Sequence, residues 1–377
     1  MNIGITCYPT YGGSGIVATE LGMELAARGH DVHFISYAHP IRLDTGLERI
    51  HYHEVEVTNY QLFAYPPYCL ALAARMAEVA DRYQLDLLHV HYAIPHSISA
   101  HLARQMLAKR GRQLPFITTL HGTDITLVGI EPSYFEITRF SIEESDGITA
   151  VSQYLIDRTR EVFGITVPMR AIHNFVNTDL YKPAAAPHGS RLRLVHLSNF
   201  RPVKRPADCV RTLAAVTRAG IDAELWLVGD GPERGAVERL AHELGVKPSV
   251  RFLGKQDHVE RLLPQTDVLL LPSEHEAFGL AALEAMSCGV VPVATRTGGV
   301  GELITHGEDG FLEAVGDVEA QAARVTQLFS DHGLRERMAA AARRTAQSRF
   351  STELIIPQYE QYYRDCLAAG QGSAGGN

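Results

Sequence analysis

Cysteine is scarce in this chain: five residues in 377, Cys7, Cys69, Cys209, Cys288 and Cys366, with no Cys-x-x-Cys pair among them. An odd, scattered set of this kind argues against a disulfide framework and a thiolate zinc site. It sets the expectation of a reducing compartment and a cytoplasmic address. Long apolar runs are missing as well. No stretch of about 18 apolar residues occurs, and the amino terminus Met1-Asn-Ile-Gly-Ile-Thr-Cys7 lacks a basic region, so neither a membrane span nor a signal peptide is expected. Positive charge is in deficit: a formal net charge of −8 and a pI near 6.1 argue against general affinity for nucleic acid, so an anion site must concentrate its cations locally. Metal-ligand patterns are absent too. There is no Asp-x-Asp and no His-x-x-x-His within a helix, so a divalent ion is not required.

What is present is a long alternation of short apolar runs and helix-length amphipathic segments, the pattern of a parallel sheet wrapped by helices. At 377 residues the chain exceeds the size of a single core, and the alternation falls into two series. The first has strands near Ile3–Cys7, Val32–Ser36, Leu85–His91, Phe116–Leu120 and Gly147–Val151. Its helices are expected near Ser14–Arg28, His96–Lys109, Pro132–Glu144 and Gln153–Phe163. The second has strands near Leu192–Leu197, Leu225–Val228, Val250–Leu253, Val268–Leu271 and Val291–Ala294. Its helices are expected near Pro206–Ala219, Glu233–Leu244, Phe278–Ser287 and Asp317–Ser330. The Pro, Ala and Gly-rich stretch Tyr181–Ser190 places a hinge there or slightly before it. Two Rossmann-like halves with a cleft between them are expected, at 1–173 and 174–350. A last amphipathic helix near Thr352–Leu367 follows, and a disordered tail over 370–377.

The most informative run is Ser273–Glu302. Glu276 and Glu284 stand eight apart, about two helical turns, so a helix beginning near Phe278 puts Glu276 at its mouth and Glu284 along the same side. Two carboxylates at two depths suit the hydroxyls of a polyol. The apolar run before them, Asp267–Pro272, reads as a buried strand delivering the segment to the carboxyl edge of a sheet. Earlier, Val195–Arg205 is a strand ending in Arg201, Lys204 and Arg205, a local cluster of cations suited to a diphosphate leaving group. Gly229-Asp-Gly-Pro-Glu233 adds a Gly-rich turn whose role could be purely geometric.

In the first half, Gly12-Gly13-Ser14-Gly15 opens the first helix, where backbone N–H groups and the positive helix end favour a phosphate or carboxylate. The same glycines satisfy a loose dinucleotide fingerprint, but the second strand ends in Ser36-Tyr37 rather than in an acid for a ribose hydroxyl, which argues against NAD. His89, His96 and the Leu120–Asp124 run close the third and fourth strands. His121 is the strongest candidate there, because Gly122 lets the backbone approach a bound group and Thr123 and Asp124 add polar atoms.

Taken in order, Gly12–Gly15, His121-Gly-Thr-Asp124, Val151-Ser152, Asn174, the Lys204 turn, Gly229–Glu233, Glu276-x7-Glu284 and Gly298-Gly299 resemble the retaining glycosyltransferases of family 4, over nearly the whole chain. The resemblance implies the GT-B fold, with the last helix (352–369) crossing back to join an acceptor-binding first domain, and a nucleotide-sugar-binding second domain. It implies catalytic roles for His121, Lys204 and Glu276. Donor contacts are implied from Gly13, Ser14, Asn199, Arg201, Lys204, Arg205, Gly229, Glu276, Ala277, Phe278, Gly279, Leu280 and Glu284. Acceptor contacts are implied from Gly13, Ser14, Tyr92, Thr119, Asn174 and Arg201. No metal and no cofactor is implied, the UDP-sugar being a substrate. One departure stands out: the family's usual Arg two residues after the strand is here Asn199, with Arg201 two residues later, so which cation meets the diphosphate is left open.

Further runs, among them Gly4–Pro9, Gly12–Ile16, His53–Val57, Tyr65–Tyr68, His121–Thr126 and Ser198–Arg201, resemble a branch of the family active in bacillithiol biosynthesis. That implies UDP-N-acetylglucosamine as donor and L-malate as acceptor. The alternative is a related transferase acting on another small acceptor, such as an inositol phosphate or a sugar. Partners beyond the substrates are not implied, and a homo-oligomer is left open.

Overall fold

The computed structural model describes residues 1–58, 61–62, 64–184 and 191–374, with side chains through 370. It divides into two compact units, Met1–His173 together with the chain from Ile355 onward, and Asn174–Leu354. The division falls at His173/Asn174, ahead of the Pro-rich stretch; residues 185–190 of that stretch lie outside the described residues.

The first unit runs β1 (Asn2–Thr6), α1 (Gly13–Ala27), β2 (Asp31–Ser36), β3 (Ile50–Glu54), α2 (Tyr68–Tyr83), β4 (Leu87–His91), α3 (Ile98–Ala108), β5 (Phe116–Leu120), α4 (Thr123–Thr126), α5 (Phe135–Glu143), β6 (Gly147–Ala150), α6 (Gln153–Phe163) and β7 (Arg170–Ala171). Its seven strands are all parallel, in the order β3-β2-β1-β4-β5-β6-β7. The central strands are buried on both faces, which is why they read as unbroken apolar runs rather than as alternating ones.

The second unit runs β8 (Leu192–Leu197), α7 (Pro206–Arg218), β9 (Ala223–Val228), α8 (Arg234–Glu243), β10 (Val250–Gly254), β11 (Val268–Leu271), α9 (Leu280–Ser287), β12 (Val291–Thr295), α10 (Val300–Leu303), β13 (Phe311–Glu313), α11 (Val318–Ser330) and α12 (His332–Arg349). Its sheet is also parallel, in the order β10-β9-β8-β11-β12-β13. In both sheets the chain starts in the middle, works outward to one edge, then crosses to the other side. The reversal lies between β1 and β4 in the first and between β8 and β11 in the second, and ligands of open α/β sheets bind at the carboxyl ends of strands at such a point.

The last helix, α13 (Thr352–Ala374), belongs to the first unit from Ile355 on. Ile355, Ile356, Tyr359 and Tyr363 form its buried stripe. Tyr363 bonds His89 Nδ1 at 2.7 Å, and the Tyr362 hydroxyl accepts from the Ile148 N–H at 2.8 Å. Glu360 accepts from Arg28 at 3.1 Å and contacts His30 at 2.9 Å. The helix passes the expected end at Leu367, through Ala368, Ala369 and Gly370 to Ala374, so residues 370–374 of the expected disordered tail are helical. Residues 375–377 lie outside the described residues.

Candidate active site

In the second unit the donor-side candidates gather on two loops, after β8 and after β11. The first loop is forced into its path by close packing. Gly229 has φ +121°, and a Cβ there would meet the Ser198 carbonyl at 1.8 Å; one at Gly231 would meet the Asn199 carbonyl at 2.1 Å. The Gly-rich turn is therefore the surface against which Ser198 and Asn199 lie, and glycine is required by that contact. Below it, His196 Nε2 bonds Ser198 Oγ at 2.8 Å and His196 Nδ1 bonds the Leu270 carbonyl at 2.9 Å. Burial pushes this imidazole down to about 4, so it is neutral and bridges the two central strands.

The loop then delivers its cations to different places. Lys204 Nζ donates to Glu276 Oε1 at 2.6 Å, and Ser273 Oγ donates to the same oxygen at 2.8 Å. Arg205 is held on both sides, by Asp208 at 2.6 Å and Glu274 at 2.8 Å, which raises its pKa above the usual guanidinium range. Those two carboxylates make Arg205 a brace of the loop, whereas Arg201 is exposed. Asn199 Oδ1 is buried with no hydrogen-bond partner among the described residues.

The second loop is pinned from β12. Thr297 Oγ1 donates to the Glu274 carbonyl at 2.6 Å, Thr295 Oγ1 to the Ser273 carbonyl, and the Gly299 N–H to the Glu276 carbonyl at 2.9 Å. The backbone of Gly298-Gly299 thus supports the Glu276 turn. The helix begins at Leu280, two residues later than Phe278, because Gly279 takes a left-handed turn at φ +99°. Phe278 is 1% exposed, packed edge-on to Phe350 at 5.4 Å, so its side chain belongs to the core and only its backbone borders the loop. Ala277 and Leu280 are half-buried beside it. Glu284, just over one turn into α9, is 4% exposed and accepts from the Tyr181 hydroxyl at 2.9 Å. No sequence spacing signals that partner, which lies 103 residues away.

In the first unit the carboxyl ends of β1, β4 and β5 carry the acceptor-side candidates. Helix α1 starts at Gly13 with no acid in its first turn, so the N–H groups of Gly13 and Ser14 head a helix whose positive end is uncompensated. Gly15 lets that helix sit against the loop before it: a Cβ there would meet the Tyr8 carbonyl at 2.5 Å. Ser14 Oγ donates to the Tyr92 hydroxyl at 3.2 Å, and the Tyr92 ring lies on His121 at 5.5 Å.

The imidazoles form the layer beneath. His121 Nε2 and His91 Nδ1 are 2.8 Å apart, and His96 Nδ1 bonds the His91 carbonyl at 2.5 Å. Burial lowers His89 and His121 to about 3 and His96 to about 4, so all are neutral. Asp124 caps the turn by accepting from the N–H groups of Gly122 at 2.9 Å and Ala93 at 3.1 Å; burial pushes its carboxyl up to about 6. Asp124 is 1% exposed and serves the loop rather than a ligand. Thr119 differs from the expectation. It is fully buried, with its hydroxyl 2.6 Å from both His89 Nε2 and Thr149 Oγ1, so it supports the site from below and its side chain is not on the floor. Asn174 opens the second unit, with its carboxamide buried and Oδ1 without a hydrogen-bond partner among the described residues.

Among the described residues no group of three His, Cys, Asp or Glu side chains is placed to hold a metal ion, and no helix is long and apolar enough to cross a membrane.

The chain's relatives fit this arrangement. The family model "Glycosyltransferase Family 4" matches residues 11–180, and "Glycosyl transferases group 1" matches residues 179–345. The N-acetyl-α-D-glucosaminyl L-malate synthase of Bacillus anthracis is 47% identical over 375 residues, 97% of this chain and 97% of that one. Among solved structures, sucrose-phosphate synthase from Thermosynechococcus elongatus superposes with a TM-score of 0.81 at 21% identity, covering 98% of this chain and all of the other. Anabaena HepE in complex with UDP and glucose gives a TM-score of 0.79 at 21% identity, covering 96% and 98%. These two share the fold.

Proposed function

The chain belongs to the family 4 glycosyltransferases, with the GT-B fold, and on that premise we propose that it transfers N-acetylglucosamine from UDP-N-acetylglucosamine to the hydroxyl of L-malate, with retention, as the first step of bacillithiol biosynthesis. The observation that carries the substrate assignment is the 47% identity to the B. anthracis synthase across 97% of both chains. The site chemistry supports it from below.

In this reading the second unit holds the donor. Glu276 and the N–H groups after it take hydroxyls of the sugar, Glu284 takes the ribose, and Lys204 balances the diphosphate, with Arg201 as the second cation. As the bond to the diphosphate lengthens, negative charge grows on it, and a fixed ammonium beside it lowers the barrier. Lys204 is already positioned by Glu276, whose carboxylate is itself held by Ser273, so it needs little reorganisation when that charge appears. The first unit holds the acceptor. The N–H groups of Gly13 and Ser14 and the hydroxyl of Tyr92 suit a small dianion, and the His121 carbonyl steadies the oxocarbenium-like carbon. The malate hydroxyl attacks from the face the diphosphate leaves, giving its proton to the β-phosphate, so no side-chain base is required and the α-configuration is kept. With five free cysteines, the protein is assigned to the cytoplasm.

An acceptor screen with labelled UDP-N-acetylglucosamine tests the assignment. Malate should be glycosylated in preference to inositol phosphates and free sugars; preference for one of those would transfer the assignment to the related branch.

A further inference from the structure

Glu284 is oriented by a residue from a distant segment. The Tyr181 hydroxyl donates to Glu284 Oε1 at 2.9 Å, and the two residues are 1% and 4% exposed. The backbone of Tyr181 is fixed independently of that bond. Its carbonyl accepts from Ser287 Oγ at 2.7 Å and from Arg343 Nη1 at 2.6 Å, and its N–H donates to the Asn177 carbonyl at 2.9 Å. Arg343 closes the brace: Nη1 also donates to the Ser287 carbonyl at 2.7 Å, and Nη2 to the Thr178 carbonyl at 2.7 Å. Ser287 ends α9, the helix that carries Glu284. The phenol and the carboxylate it grips are therefore parts of one fastened piece.

A glutamate side chain has three rotatable bonds, and the last is broad and only weakly restricted by sterics. Burial restricts the first two; a donor to one oxygen fixes the third. Hydrogen bonds to an ionised group are short and strong, and in a nearly dry surrounding a phenol at 2.9 Å holds the carboxylate plane in one rotation.

We propose that Tyr181 is a positioning residue for the nucleotide: it sets the rotation in which the Glu284 carboxylate meets the ribose hydroxyls, and so governs how strongly the site prefers ribose to deoxyribose. The inference rests on the reading that Glu284 holds the ribose. Tyr181 itself acts only through Glu284.

The test is calorimetric titration of UDP, 2′-deoxy-UDP and 3′-deoxy-UDP into the full-length wild-type, Tyr181→Phe and Glu284→Ala proteins. Tyr181→Phe keeps the ring and its packing and removes only the donor. It should weaken UDP about five- to tenfold, narrow the ribose-to-deoxyribose gap by a similar factor, and raise the donor KM more than it lowers kcat. A merely structural role would lower the melting temperature and leave the ribose preference as in the wild type, which overturns the inference. If Glu284→Ala loses UDP affinity while Tyr181→Phe does not, the positioning role alone fails. If Glu284→Ala binds UDP and both deoxy analogues like the wild type, the ribose reading fails and takes the inference with it. A double variant, Tyr181→Phe with Glu284→Gln, adds a check on folding-competent protein: the effect of losing the phenol should shrink beside the amide, and strict additivity counts against coupling.

Discussion

Lys204 and Glu276, 72 residues apart in sequence, stand with Nζ 2.6 Å from Oε1, so each is the other's counter-ion where the loops after β8 and β11 meet. Their side chains are 24% and 11% exposed, and a partly buried pair of this kind fixes both groups before substrate arrives. Either substitution then releases the partner, and on the proposed mechanism it also removes a substrate contact.

For that reason Lys204→Ala and Glu276→Ala should each lower kcat/KM by at least about tenfold, and by up to about 10²–10³ if the lost contact is made mainly in the transition state. The double variant should lose less than the product of the two, since the residues act as a unit. Steady-state kinetics on folded protein decides it: near-native turnover in either single variant removes that residue from the mechanism.

The glycines make a contrasting prediction about stability. Gly229→Ala forces a Cβ onto the Ser198 carbonyl in a left-handed backbone, and should cost at least about 1–3 kcal/mol. Gly12→Ala places a Cβ in open space at an extended φ of −162° and should leave the melt nearly unchanged. Equal melting temperatures for the two variants would mean that the turn after β9 does not press on Ser198 as described.

Much of this architecture was legible in the residues. Strands buried on both faces, such as β11 with Val-Leu-Leu-Leu, announce themselves as apolar runs, and Gly279 and Gly229 mark the turns of the candidate site. Other elements gave weaker signals. β3 reads Ile-His-Tyr-His-Glu, an edge strand whose histidines hide its pattern, though His53 Nε2 packs inward at 2.9 Å from His33 Nδ1. α2 follows two prolines and is rich in alanine, and β13 is only three residues long. α12 buries only Met338, Ala342 and Ala346, a narrow stripe four residues apart. The site was legible to the extent that its residues are close in sequence. Glu276 and Glu284 declare themselves by spacing, whereas Tyr181, Ser273 and the threonines of the β12 end act through folding contacts that no local pattern records. Thr119 misled because a hydroxyl at a strand end says nothing about which face it occupies.

The first unit should be acid-sensitive. Burial holds His89 and His121 at about 3 and His96 at about 4, below their ordinary 6.5, so they fold neutral while the unfolded chain takes up protons below 6.5. Their contribution is complete above pH 6.5 and is lost as pH falls toward 3–4. Asp124 runs the other way: raised from 3.8 to about 6, it binds its proton more tightly when folded and favours the folded state as pH falls through that window. Three histidines outweigh one carboxyl. Thermal melts should drop by several degrees from pH 7 to pH 5, and His89→Asn should flatten the slope; a melt independent of pH over that range would contradict the neutral cluster.

The last helix should be integral to the first unit. Tyr363→Phe removes the hydroxyl bonded to His89 at 2.7 Å and leaves a buried ring nitrogen without that partner, at a cost of about 1–3 kcal/mol. Chemical denaturation measures it, and a stability equal to wild type would show that the contact is not formed.

The central claim is that this chain joins N-acetylglucosamine to malate with its anomeric configuration kept. Proton NMR of the product formed from UDP-N-acetylglucosamine and L-malate tests it most directly. The account predicts a single new glycoside with the small anomeric coupling of an α-linkage and one UDP released per sugar transferred. A β-linked product, or intact malate beside consumed donor, would contradict it.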